Sequence, residues 1–378
     1  MPLTPKQRML NAYRGLPVDV RPVAPEFWYY YPAKVLRVDM IQLQREVPFW
    51  FALKTTFEKF GCEGWGTVWC GREQPKPASE THEFIQVAAD SYELRSCESF
   101  AGRTFRSTSR YSKAEPSWQV EYPVKDPFTE LDCYFDMRVQ HGCTLTQAKA
   151  LEARNAVGEA FLLECVLPGQ FTDFLASAMG FEMAVQYLMT EESAKLESYQ
   201  KRYRDYVSET TGLLAATLPF ESYFMGCSYS CASLMGPRLW RQWDVPIVAA
   251  AASAIHRHGK LMHLHYHGKS LENAADLAST GVDCVCPFER PPGGDVDGLE
   301  GLQRTRALIG EKLTFNGNVH TVATLIRGTR NDVRREVGQI KSAFADSHRL
   351  IIGTGDQVGR ETPEENLHVM VEAGHEAS

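Results

Sequence analysis

The sequence predicts a single (β/α)8 barrel, and three observations carry that prediction. From about residue 160 onward, short apolar runs of strand character alternate with helical patterns. Strand then helix, repeated, is how parallel strands joined by right-handed crossovers are written. Six such runs, added to earlier ones near Val23 and Thr67, give about eight strands, which favours a closed barrel over an open doubly wound sheet. The 378 residues are 44% hydrophobic and 23% charged, enough for a full core, and no low-complexity linker divides them. We therefore expect residues 1–378 to form one barrel domain.

The elements follow in order. Thr4, Pro5 and Gln7 supply an N-cap, a first-turn proline and a capping-box partner for an opening helix. "RPVAPEFWYYYP" runs from a short strand into an aromatic cluster. Residues 91–124 are rich in Ser, Thr, Tyr and Phe with local alternation, which predicts a β-hairpin insertion. The strand-like runs are "AFLLECV", "FESYFMG", "KLMHLHYHG", "VDCVCPF", "KLTFNGN" and "HRLIIGTG". Helical patterns between them include "PRLWRQWDVPIVAAAASAIHRHG", "SLENAADLAST" and "RNDVRREVGQIKSAFA". Thr362, Pro363 and Glu365 predict a capping box on the last helix.

Composition narrows the function classes. A net charge of −7, with no run of basic residues, argues against a nucleic-acid partner. Ten dispersed cysteines behind an N-terminus without an apolar segment read as reduced thiols of a cytoplasmic protein. No apolar stretch is long enough to span a bilayer, so no membrane partner is expected.

The densest chemistry is "LMHLHYHG", residues 261–268, where three of the eleven histidines stand at alternate positions. In a strand His263, His265 and His267 share one face. Gly268 ends the run, so His265 and His267 fall at the C-terminal end of the strand, the functional face of such barrels. Two imidazoles two residues apart can reach one metal ion, which commonly takes a third protein ligand and keeps one open position. The alternative is three core histidines hydrogen-bonded to neighbouring strands.

A third ligand should come from another strand end, and Asp356 stands just past the last strand between glycines. Glu289 or Asp295, in the loop after "VDCVCPF", would serve as acid or base, and Asn316 at the end of "KLTFN" would orient a substrate. Trp28 and Tyr30 of the aromatic cluster, with Tyr223, are the substrate-binding candidates. Cys284 and Cys286, like Cys227 and Cys231, read first as small core residues and only second as soft ligand pairs.

The segments "TPKQRMLNAYRGLPVDVRPVAPEFW", "EYPVKDPFTEL", "GFEMAVQYLMTEE", "HYHGKSLENAADLASTGVD", "FNGNV" and "TPEENLHVMVEA" occur in an order that resembles the uroporphyrinogen decarboxylase superfamily. The resemblance implies a TIM barrel and two branches of activity. Decarboxylases of the family carry N-terminal arginines that grip a tetrapyrrole's carboxylates. Here no arginine lies between Arg21 and Arg37, which leaves such a substrate poorly held.

The other branch comprises corrinoid (cobalamin)-dependent methyltransferases, many with zinc on a His-x-Cys-Gly motif and a Gly-Cys loop. His265-Tyr266-His267-Gly268 and Gly355-Asp356 are similar to that layout, with two histidines and an aspartate in place of one histidine and two cysteines. The implied metal ligands are His265, His267 and Asp356, with His263 supporting from deeper in the strand. Zinc is favoured, and iron suits the same set. This harder set points to an oxygen leaving group, as in O-demethylation of an aryl methyl ether.

The expectation is a metal-dependent methyltransferase, monomeric or homodimeric, acting between a small methyl donor or acceptor and a corrinoid on a carrier protein. Two rivals are a metal-free decarboxylase-like lyase and a non-catalytic corrinoid-binding barrel.

Overall fold

In the computed structural model, which describes residues 2–376, eight parallel strands curl into a barrel. They are β1 (Val23–Ala24), β2 (Trp65–Val68), β3 (Leu162–Val166), β4 (Ser222–Met225), β5 (Leu261–Tyr266), β6 (Cys284–Pro287), β7 (Thr314–Val319) and β8 (Leu350–Thr354). Their hydrogen-bonded order is β1-β8-β7-β6-β5-β4-β3-β2. Each lies within two or three residues of its expected position. The later strands are buried along their whole length, as strands covered on both faces must be.

The helix Pro5–Arg14 closes the N-terminal end of the barrel. Thr4 accepts the amide of Gln7, Gln7 returns the bond, and Gly15 ends the helix at φ +68. Its buried Met9, Ala12 and Tyr13 pack with Cys284 and Ile351 in the barrel interior. Thr314 of β7 donates to the Ala12 carbonyl at 2.8 Å, which fixes this plug to the wall.

No ladder joins β1 to β2 among the described residues, so the wall has a seam. The seam is held by a side chain. Glu63, 1% exposed just ahead of β2, accepts the Val23 amide at 2.8 Å. The same carboxylate meets Arg8 at 2.9 Å and His375 at 2.9 Å, joining the first and last helices to the gap.

The insertion is larger than a hairpin. Ser79–Ala88, Ser91–Phe100, Arg103–Ser112 and Trp118–Glu121 form a four-stranded antiparallel sheet that begins ahead of residue 91. Its first strand is exposed along nearly its whole length, so no buried face stamps a period on its sequence. The expected capping box on the last helix is also absent. Pro363 stands at the N-cap and the Thr362 hydroxyl has no partner. The Thr362 carbonyl instead accepts the Tyr31 hydroxyl and the Lys34 ammonium. Among the described residues no helix is long and apolar enough to cross a membrane.

Removing the seam carboxylate leaves the buried Val23 amide and His375 Nε2 without their partner and Arg8 with Asp19 alone. Glu63→Ala should cost roughly 2–4 kcal/mol in urea unfolding. A change of under about 0.5 kcal/mol would show that the seam closes without it.

Candidate metal centre

Strand β5 is bonded on both sides, to β4 and to β6, which turns His263 and His265 into the barrel. His267 follows the strand's end, where Gly268 takes φ +79 and an added Cβ would lie 2.2 Å from Ser233 Oγ. Only glycine fits this turn, so the third imidazole is carried back over the mouth.

The three rings form one continuous ladder of contacts. Glu164 of β3 meets His263 Nδ1 at 2.9 Å, and both side chains are fully buried. His263 Nε2 and His265 Nδ1 each lie 3.1 Å from Cys286 Sγ. His265 Nε2 is 2.7 Å from His267 Nε2, and His267 Nδ1 is 2.6 Å from Glu289 Oε1. That same oxygen accepts the Gly268 amide at 3.0 Å.

Two more carboxyl groups flank the upper rungs. Glu26, two residues past β1, brings Oε1 to 3.9 Å from His265 Nε2, and this buried oxygen has no hydrogen-bond partner. Its amide donates to Thr354 Oγ1 at 3.0 Å and its carbonyl accepts the Val358 amide at 2.9 Å. These bonds lace it to the loop that carries Asp356. Burial, reinforced by the charge of Asp356, raises the Glu26 carboxyl to about 8. Burial likewise raises Asp356. His265 is held well below the usual imidazole value, by burial first and then by the neighbouring histidines. For His267, burial opposes the cation, but the Glu289 hydrogen bond and the charges of Asp356, Glu289 and Glu26 outweigh it and raise the imidazole to about 9.

An aromatic wall completes the mouth. Trp28 stands edge-on to His265 with ring centres 6.1 Å apart, and against Trp65 at 5.4 Å. Trp65 stacks on Phe224 at 5.3 Å. The wall keeps water from one side of the His265 ring.

The structure thus brings together His263, His265, His267, Glu289 and Trp28, with Asp356 near enough to act on their charge. Asn316, on β7, is buried with an unpartnered Nδ2. Asp295 accepts the amides of Leu271 and Glu272 instead of lining the mouth. Two substrate candidates lie elsewhere. Tyr223 points out of the barrel wall, because Ser222 and Phe224 take the inward positions of β4. Its hydroxyl donates to the carbonyls of Leu214 and Leu218. Tyr30 donates to Glu115 of the insertion at 2.6 Å and lies under the Arg360 guanidinium.

Two residues are missed or underrated by the sequence reading. Cys286 reads there first as a core thiol and only second as a soft ligand, because its place opposite His265 is fixed by strand register. Glu26 carried a usable signal, standing two residues past β1 as Asp356 stands two past β8.

Glu26, His265 and Cys286 have donor atoms within 4.8 Å of one another and can hold a cation. The histidine pair offers a second set beside it. Carboxyl groups raised by burial and by a neighbouring carboxylate, next to converging imidazole nitrogens, are an arrangement a bound cation relieves.

The metal-free protein should lose stability as pH rises. His267 is raised in the fold, so its contribution is complete below about 6.5 and disappears as pH passes through about 9. Glu26 is also raised, so its contribution is complete near pH 4 and disappears through about 8. Urea midpoints should fall from pH 6 to pH 9, less steeply in His267→Gln. An unchanged slope in that variant would contradict the assignment.

Residues 221–377 match the family model described as uroporphyrinogen decarboxylase (URO-D). Among curated proteins, the uroporphyrinogen decarboxylase of Legionella pneumophila strain Corby is 30% identical over 102 residues, 27% of this chain and 26% of that protein. Its counterpart from strain Paris is 29% identical over the same length. The matched stretch thus spans about a quarter of these relatives' length. Among solved structures, a methyltransferase from Methanosarcina mazei superposes with a TM-score of 0.64 at 14% identity, covering 98% of each chain. Residues 221–377 are thus similar to the uroporphyrinogen decarboxylase family, and the whole chain shares the fold of the Methanosarcina methyltransferase.

Proposed function

We propose that the protein is a metal-dependent methyltransferase that moves a methyl group between a small substrate and a corrinoid supplied by a carrier protein. The observation that carries this reading is the convergence of His265 and His267 through their Nε2 atoms at the end of β5. His265, His267 and Asp356 would hold the ion, with Glu26 as the nearest further oxygen donor. Zinc, or ferrous iron, would supply Lewis acidity towards the leaving heteroatom.

The chain's own residues divide the remaining work. Glu289 accepts from His267 Nδ1 and so turns Nε2 towards the mouth, as a carboxylate behind a ligating histidine does. Trp28, Trp65 and Phe224 offer a dry aromatic surface beside His265 for the methyl-bearing group. The unpartnered Asn316 Nδ2 is a buried donor available to an oxygen acceptor. Nitrogen and oxygen ligands suit an oxygen leaving group better than a thiol, so the substrate class we favour is an aryl methyl ether. The likeness in fold to the Methanosarcina methyltransferase supports the reaction class. The Legionella relatives favour a decarboxylase-like lyase instead. Against that stands the segment Pro22–Leu36, which holds no arginine for a polycarboxylate.

The test is methyl transfer from an aryl methyl ether to cob(I)alamin, followed by corrinoid absorbance. Chelation should abolish transfer and zinc or ferrous iron should restore it. His265→Ala and Asp356→Ala should each fall by about 100-fold or more, the scale of losing several kcal/mol of charge stabilisation. Undiminished transfer after chelation would contradict the metal's role, and transfer from thioethers alone would contradict the ether.

A further inference from the structure

The ladder beneath the mouth reaches further down than any ligand set requires. Glu164, His263 and Cys286 continue it behind the converging nitrogens, buried from solvent. A buried histidine, thiol and carboxylate in one unbroken line are costly to desolvate unless each hydrogen has a taker. The line can therefore be followed hydrogen by hydrogen.

Glu164 is the lower end. Its Oε1 accepts the Ser222 hydroxyl at 2.6 Å, and its Oε2 faces His263 Nδ1 at 2.9 Å. A carboxylate only accepts, so His263 carries its hydrogen on Nδ1. A neutral His263 is then left with Nε2 as an acceptor, and the neighbour at 3.1 Å is the Cys286 thiol, which donates to it. With its one hydrogen committed downward, Cys286 presents only sulfur lone pairs to His265 Nδ1, also at 3.1 Å. His265 must therefore carry its own hydrogen on Nδ1. The lone pair on Nε2 is then directed at the mouth. The upper end agrees, because Glu289 Oε1 takes the hydrogens of the Gly268 amide and His267 Nδ1, which turns His267 Nε2 to the mouth beside His265 Nε2.

We infer that Glu164, His263 and Cys286 are positioning residues that dictate the tautomer of His265, so that Nε2 is presented as a lone pair to the mouth. The inference rests on the metal-site reading above. In it Cys286 is an orienting group behind a ligand and is not itself a ligand. Partners of this kind are commonly worth about 10- to 100-fold in metal affinity.

The experiment uses the full chain with nitrogen-15-labelled histidine. Long-range nitrogen–proton spectra of the metal-free protein report which ring nitrogen of His265 is protonated, and zinc titration reports affinity. Cys286→Ser keeps one donor hydrogen and an acceptor, whereas Cys286→Ala keeps neither. We expect the Nδ1–H form in the wild type and in Cys286→Ser, with zinc affinities within about 3-fold of each other. Cys286→Ala should show mixed tautomers and bind zinc about 10- to 100-fold more weakly.

Three results would overturn the inference. One is a wild-type His265 protonated on Nε2. Another is Cys286→Ala with unchanged tautomer and affinity. The third is sulfur-to-metal charge transfer in the cobalt(II)-substituted wild type that Cys286→Ser removes, which would make Cys286 a ligand. A protein that binds no zinc would end the metal-site reading, while the tautomer spectra would still decide this one.

Discussion

Every second side chain of β5 faces the interior of the barrel, and the rest of the site is arranged to satisfy the imidazoles this puts there. A histidine inside a closed barrel has two ring nitrogens and no water to meet them. Each needs a partner of the right kind at hydrogen-bond distance. Glu164 comes from β3, Cys286 from β6, Glu289 from the loop behind β6 and Glu26 from the end of β1. The eight-strand closure gives these residues, distant in sequence, neighbouring positions around one strand.

That arrangement grades the ladder from bottom to top. Below, Glu164 and His263 are wholly buried with their polar atoms matched. Above, the matching becomes incomplete. Glu26 Oε1, Asn316 Nδ2 and Gln357 Oε1 are buried without partners. Unmet polar atoms cost stability and persist where a ligand supplies what is missing. The mouth therefore has binding capacity to spare, while the Glu164–His263 pair below is committed to holding it in shape. The Tyr30–Glu115–Arg360 cluster belongs to the same economy, tying the insertion to the two loops that carry Glu26 and Asp356.

Much of this was legible in the chain. Apolar runs separated by helical patterns specify parallel strands, and the alternation in "LMHLHYHG" places three imidazoles on one face. Sequence period says which face a side chain takes, but not which residue of the next strand stands opposite. Cys286 therefore looked like packing until register set it against His265. Tyr223 lies away from the mouth for a related reason, since its neighbours Ser222 and Phe224 take the inward positions. Glu289 was expected to serve as acid or base. Its oxygen faces the back of His267, and only the glycine turn at Gly268 explains why. The insertion was underestimated because an exposed edge strand such as Ser79–Ala88 has no buried face to reveal it.

The measurement that bears most directly on this account is metal content with the composition of the first coordination sphere. Protein purified without chelator, alongside His267→Ala, would be taken through elemental analysis and X-ray absorption at the metal edge. The account predicts about one zinc or iron per chain, a shell of nitrogen and oxygen only, and loss of the ion in the variant. A shell containing sulfur would move the site onto Cys286. No ion, even after reconstitution with zinc or ferrous iron, would leave the three imidazoles as a buried acid–base ladder and contradict the metal site.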